Sequence, residues 1–284
     1  MSRIAIAHYA TKEQAVRTHQ PKVDEAERSV SSGTCKTSPR EFKVGTCGFG
    51  MSQSTYIEAF SCVEIQHTFY DPPRIKTLEG WLNQTKKTPD DFEFVIKAWQ
   101  LITHEAKSPT YKRLKRILTD REKSEAGYFR WSALVKEAWE TTLASARALK
   151  ARTILFQCPA SFRQTKENLS RMEKFFDSIE REDLDLCWEP RGAWDPVLVQ
   201  GVCRQLGLRH VVDPFVGRTV TPDRFYFRLH GNTGWRYEYE MGELKRLASL
   251  CENSGSGFVF FNNYKMTSDA LKFCNLLGEV ASAK

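Results

Sequence analysis

The chain has 284 residues, 41% hydrophobic and 27% charged, with 42 Lys and Arg against 35 Asp and Glu, a formal net charge of +7. This composition excludes a disordered or collagen-like chain, and no apolar run approaches the roughly 18 residues of a membrane span. The basic excess is mild: it suits a polyanionic partner without requiring one.

The N-terminus, MSRIAIAHYATKEQ, has too short an apolar run for a signal peptide and turns charged at once. Residues 1–41 are polar, are broken by Pro21, and end in the linker-like stretch SVSSGTCKTSPR. They read as a flexible N-terminal extension, with the folded domain spanning 42–284. The eight cysteines are scattered and contain no C-x-x-C pair. Cys62, Cys158 and Cys187 lie in apolar runs, where a free thiol acts as a small hydrophobe. No zinc-finger spacing is present, and the expected setting is a reducing, cytoplasmic one.

From Phe42 onward, short apolar runs alternate with longer amphipathic segments. The runs are FKVGTCG, SCVEIQ, FEFVIKA, TILFQ, LDLCWE, LRHVVD, FYFRLHG and GFVFFNN. Each is rich in Val, Ile, Phe or Tyr and ends on a polar or small residue, the pattern of buried parallel strands. Between them lie helical patterns at 74–87, 128–150, 167–180, 195–207, 241–253 and 267–280. In the last, Ala270, Phe273, Cys274 and Leu277 mark one helical face. Eight strands alternating with helices predict an α/β fold, a single TIM (β/α)8 barrel. The stretch PFVGRTVTPDR after the sixth strand holds no helical pattern, so the barrel is expected to be irregular there. An open doubly wound sheet fits less well. GTCGFG spaces its glycines as G-x-x-G-x-G, which is not the dinucleotide fingerprint, and no Walker loop, G-x-S-x-G or H-E-x-x-H occurs.

A barrel gathers the C-terminal ends of its strands on one face. Here those ends carry Thr46 and Cys47, Glu64 and Gln66, Lys97, Gln157, Glu189 and Arg191, Asp213, Arg228 and His230, and Asn262 and Asn263. Alternation turns Glu64 and Gln66 away from Val63 and Ile65, so Glu64 is expected to point inward or upward and to need a partner, for which Lys97 or Arg228 is available. The expected acid–base groups are Glu64, His230, Glu189 and Asp213. The expected substrate-binding groups are Lys97, Arg191, Arg228, Gln157 and Asn262. Asp71, ahead of Pro72 and Pro73, reads as a turn residue, and His67 lies just past its strand. Glu64, His104, Glu189, Asp213 and His230 are metal-ligand types. Lys97, Arg191 and Arg228 converge with them, however, and favour an anion over a divalent metal; no cofactor is assigned. The segment Lys107–Lys123 carries seven Lys or Arg beside Tyr111. It reads either as a solvated face or as a track for phosphates of DNA or RNA. Trp235, Tyr237 and Tyr239 form an aromatic loop after the seventh strand that either stacks a base or sugar or packs over the rim.

In order, GTCGFG, VEIQHTFYDPP, FEFVIKAWQLITHE, ILFQCPASF, WEPRGAW, YFRLHG and VFFNNY resemble the motifs of the YecE-like proteins, domain of unknown function 72. The resemblance covers roughly residues 43–280 and implies a TIM barrel. Cys47, Phe49, Gln66, His67, Cys158 and Glu189-Pro190-Arg191 depart from the family wording. His67 stands where the family has a small residue, which counts against it as a shared catalytic group. Three functions follow as expectations. One is an enzyme acting on a phosphate-bearing substrate such as nucleic acid, by phosphodiester hydrolysis. Another is a non-catalytic nucleic-acid or anion-binding module. The third is an enzyme acting on a small carbohydrate or acid.

Overall fold

The computed structural model describes residues 42–86 and 92–282. The proposed extension, residues 1–41, lies outside them. In chain order the elements are β1 (Phe42–Thr46), α1 (Gln53–Ala59), β2 (Cys62–Ile65), α2 (His67–Tyr70), α3 (Ile75–Thr85), β3 (Glu93–Lys97) and α4 (Gln100–Thr103). A 3-10 turn (Pro109–Arg113) follows, then α5 (Asp120–Glu125), α6 (Ala133–Leu149), β4 (Thr153–Gln157), α7 (Lys166–Ser178), β5 (Asp185–Glu189) and α8 (Pro196–Leu206). The chain continues with β6 (Arg209–Val212), β7 (Arg224–Leu229), α9 (Met241–Glu252), β8 (Ser256–Phe261) and α10 (Met266–Ser282). The eight strands are parallel, in the order β1-β8-β7-β6-β5-β4-β3-β2. This is the predicted TIM barrel, including the helix-free connection from β6 to β7.

Local chemistry sets the helix ends. In α6 the Ser132 side chain accepts from Val135 N–H, and Leu134, Ala138, Leu143 and Ala146 lie on its buried face. In α8, Asp195 caps the first turn, Pro196 starts it, and Gly207 ends it in the left-handed conformation at φ 64°.

The seam between β1 and β2 is built differently from the other strand pairs. Ladder pairing between these neighbours is reduced to a single parallel bridge, Cys47 with Glu64. The Tyr56 hydroxyl spans the gap: Thr46 N–H donates to it at 2.8 Å, and it donates to the Cys62 carbonyl at 3.0 Å. Gly45 allows the strands to approach this closely, because a Cβ there would sit 2.4 Å from the Cys62 carbonyl oxygen.

The barrel interior is layered. Cys62, Val95, Leu155, Cys187, Val211, Tyr226, Phe258 and Phe260 form an inner cluster. Two residues further along, the same strand faces carry Glu64, Lys97, Gln157, Glu189, Asp213 and Arg228. The period-2 alternation of a strand therefore places an apolar plug below and a charged layer above. Cys47, Cys62, Cys158, Cys187, Cys203 and Cys251 are all buried. Among the described residues no helix is long and apolar enough to cross a membrane.

Candidate functional site

Arg228, near the end of β7, is fully buried. One Nη lies 2.9 Å from Glu64 Oε1 and the other 2.5 Å from Glu189 Oε2. It also reaches Gln157 Oε1 at 3.3 Å. Glu64 further accepts from the Tyr226 hydroxyl and from the Gln66 amide. The partner Glu64 needs is thus Arg228. Burial opposes the charge on Arg228, but Glu189 and Glu64 outweigh it and hold the guanidinium firmly protonated. Burial would raise the Glu189 carboxyl, and Arg191 and Arg228 overcome that effect, bringing it down to about 2.

Above this sealed layer lies a second one. Arg191 Nε is 2.9 Å from Glu189 Oε1, and Arg191 Nη2 is 2.6 Å from His230 Nε2. A guanidinium only donates, so Nε2 accepts and the ring proton is assigned to Nδ1. Nδ1 faces Asp213 Oδ2 at 3.6 Å, and the same oxygen accepts from the His230 backbone N–H at 3.0 Å. Burial first, and then Arg191, lower the His230 pKa, which keeps the imidazole neutral. Side-chain exposure separates the layers: 0% for Arg228 and Glu64 and 4% for Glu189, against 22% for His230 and 35% for Arg191.

Lys97 ends β3 in the same mouth and is 4% exposed. Its Nζ sits 3.9 Å over the Phe69 ring. No ion pair or hydrogen bond to Nζ occurs among the described residues. Burial, reinforced by Arg228, pulls its pKa down to about 7 against the opposing pull of Glu64 and Glu189. His104 also meets Phe69, with the ring centres 4.9 Å apart; it is buried and held neutral with a pKa of about 3.

The structure brings Glu64, Gln157, Glu189, Arg191, Asp213, Arg228 and His230 into one contact network, with Lys97 beside it. Among the described residues the Asn262 side chain makes no hydrogen bond to the network; its backbone N–H donates to the Leu229 carbonyl. His67 is exposed and turns its ring edge toward Trp81. Asp71 follows α2, accepts from Lys115 N–H at 3.3 Å and lies 3.2 Å from Lys115 Nζ. Tyr237 and Tyr239 pack against each other under the rim, while Trp235 and Tyr264 form an exposed edge-to-face pair. Sequence reasoning gave Tyr226 no role in the site, although its i, i+2 spacing with Arg228 was the available signal. A cavity of ≈ 250 Å³ lined by Arg204, Gly207, Thr221 and Arg224 lies at the opposite, N-terminal end of the barrel. Among the described residues no group of three or more His, Cys, Asp or Glu is placed to hold a metal. Arg228 occupies the position between the Glu64 and Glu189 carboxylates, and Arg191 lies between Glu189 and His230.

A barrel with a charged mouth at its strand C-termini is the class this geometry defines. The family model described as "Protein of unknown function DUF72" matches residues 52–284, and the chain belongs to that family, the one its motifs resemble. A DUF72 family protein from Enterococcus faecalis V583 aligns at 20% identity over 84% of this chain and 97% of that one, with a TM-score of 0.63. D-psicose 3-epimerase, crystallised in the presence of D-fructose, aligns at 11% identity over 82% and 97%, TM-score 0.53. SacUVDE aligns at 7% identity over 85% and 99%, TM-score 0.54. At these identities the likeness establishes the fold. No curated protein matches the chain in sequence.

Proposed function

We propose that the mouth is the active site of an enzyme acting on a phosphate-bearing substrate, with Arg191 as the phosphate-binding group and His230 as the general base. The observation that carries this reading is the contact between the two most exposed groups of the charged network, Arg191 and His230, at 2.6 Å. In the free protein Arg191 caps the lone pair of His230 Nε2. A phosphate oxygen is a better acceptor for a guanidinium fork than an imidazole nitrogen. A bound phosphate draws Arg191 off, and the freed, more basic Nε2 takes a proton from the substrate or from a water beside it. Asp213 orients the ring, while Glu64, Arg228 and Glu189 hold the floor rigid. Both nucleic acid, cleaved at a phosphodiester, and a small phosphorylated compound supply such a group.

The test is the His230 titration followed by NMR with and without inorganic phosphate. Phosphate is expected to raise the His230 pKa and to shift the Arg191 side-chain signals. Arg191→Ala is expected to raise that pKa on its own and to abolish the phosphate response. Saturating phosphate that leaves both residues unmoved would overturn the reading.

A further inference from the structure

The proposed function leaves Lys97 without a role, and its setting is chemically specific. An amine with a carboxylate partner would be held as an ammonium. Lys97 Nζ instead faces the Phe69 ring at 3.9 Å. The carboxylates of its surroundings, Glu64 and Glu189, are taken by Arg228 and Arg191. The Thr68 hydroxyl accepts from Lys97 N–H at 3.2 Å and donates to its carbonyl at 2.7 Å, which fixes the backbone under the side chain. Desolvation and neighbouring cations are the two conditions that turn a lysine into a nucleophile. Here burial and Arg228 act in that sense, with Arg191 adding to them and Glu64 and Glu189 opposing.

We propose that Lys97 is a covalent amine nucleophile that forms an imine with a carbonyl carbon of the substrate, an aldehyde or ketone that also bears the phosphate bound by Arg191. The inference rests on the phosphate reading above and specifies its substrate class. The Nζ lone pair forms a C–N bond, the C=O π pair moves onto oxygen, and that oxygen takes the proton released by nitrogen. A second protonation lets the hydroxyl depart as water while nitrogen reforms a double bond to carbon. Overall, one ammonium and one carbonyl give one iminium and one water. Counted from the ammonium the charge of the mouth is unchanged; counted from the neutral amine that attacks, the mouth takes up one proton.

At pH 7 an ordinary lysine is neutral in about one molecule in a few thousand, whereas one whose pKa is near 7 is about half neutral. Selectivity for Lys97 over surface lysines should therefore be large. The full chain is incubated at pH 7 with glycolaldehyde phosphate or dihydroxyacetone phosphate. In a separate arm it is incubated with a duplex oligonucleotide carrying one abasic aldehyde. Sodium borohydride then reduces any imine to a stable secondary amine, which is read by intact mass and peptide mapping. One adduct at Lys97 is expected, at more than tenfold the occupancy of any other lysine, and Lys97→Met should lose it. Trapping by the small compounds and trapping by the oligonucleotide distinguish the two sources of the same chemistry. The wild-type peptide map carries the result even if Lys97→Met does not fold. Adducts spread over the lysines as in the urea-unfolded chain would overturn the inference. Phosphate binding at Arg191 without trapping at Lys97 refutes the imine alone. Trapping at Lys97 that is indifferent to Arg191→Ala and to competing inorganic phosphate refutes the phosphate reading and, with it, the substrate class.

Discussion

Arg228 holds two carboxylates from two other strands in a space closed to water, Glu64 at 2.9 Å and Glu189 at 2.5 Å. Removing one partner of such a buried group leaves uncompensated charge and costs about 3–5 kcal/mol. Arg228→Met is expected to lose that much in urea unfolding, and adding Glu64→Gln with Glu189→Gln should recover part of it. Glu189 also sets an acid limit. Its folded pKa is depressed from 4.5 to about 2, so the unfolded chain binds the proton first as pH falls. Its contribution, roughly 3 kcal/mol at full size, is present above pH 4.5 and is lost as pH drops through about 2. Thermal melts over that range should fall more steeply for the wild type than for Glu189→Gln. Lys97 acts in the same direction, higher on the pH axis. Its folded pKa is lowered from 10.5 to about 7, so between these values the unfolded chain holds a proton that the folded one has released, and stability rises with pH. Lys97→Met should flatten that rise. Part of this was legible in the sequence: strand alternation turned Glu64 inward or upward and in need of a partner, with Lys97 or Arg228 to supply it. The contact of Arg191 with His230 was not, because Arg191 lies beyond the end of β5, where no periodicity fixes a side chain.

The seam between β1 and β2 depends on a helix. Tyr56, on α1, supplies the hydroxyl that satisfies Thr46 N–H and the Cys62 carbonyl, and it is fully buried. Tyr56→Phe keeps the ring packing against Phe60 but strands a buried donor and a buried acceptor. A loss on the order of 1–3 kcal/mol is expected in urea unfolding. Gly45→Ala should cost at least as much, since its Cβ would press on the Cys62 carbonyl backbone rather than on a flexible side-chain end. Because Cys47 and Glu64 form the adjoining bridge, both variants should also loosen the floor of the site, visible as a shifted His230 titration. At this scale the eight strands and the six longer helices could be read from periodicity, and so could the missing helix between β6 and β7, whereas the short α1, α2, α4 and α5 could not. The Tyr56 bridge could not, since a tyrosine in a short amphipathic segment reads as core and nothing local says where its hydroxyl ends.

Over the whole molecule the net charge of +7 favours polyanions, but the fold places its cations beside acids. In the segment Lys107–Lys123, Lys107 lies 3.0 Å from Glu105, Lys115 3.2 Å from Asp71, and Lys123 2.8 Å from Asp120. Arg116 joins Glu122 and Glu137, and Arg113 stacks over Tyr70 at 3.5 Å. Exposed pairs of this kind are worth at most about 1 kcal/mol, so a string of phosphates can compete for the lysines. Lys107 and Lys115 are the candidates, with side chains 79% and 87% exposed, together with the exposed Lys112. Arg116 and Arg113 instead fasten the segment to its neighbours. If nucleic acid is the phosphate-bearing substrate, binding should fall steeply as salt rises from roughly 50 to 200 mM. The triple variant Lys107→Ala, Lys112→Ala, Lys115→Ala should flatten the log–log slope by about 0.9 for each phosphate it no longer neutralises. His230→Ala should leave the slope unchanged, because a neutral imidazole releases no counterion. Fluorescence anisotropy with labelled single- and double-stranded DNA and RNA measures both. Absence of binding at the low-salt end would remove nucleic acid as the substrate. The contact between Arg191 and His230 would then act on a small phosphorylated compound, because one guanidinium binds one phosphate as readily without a polymer attached.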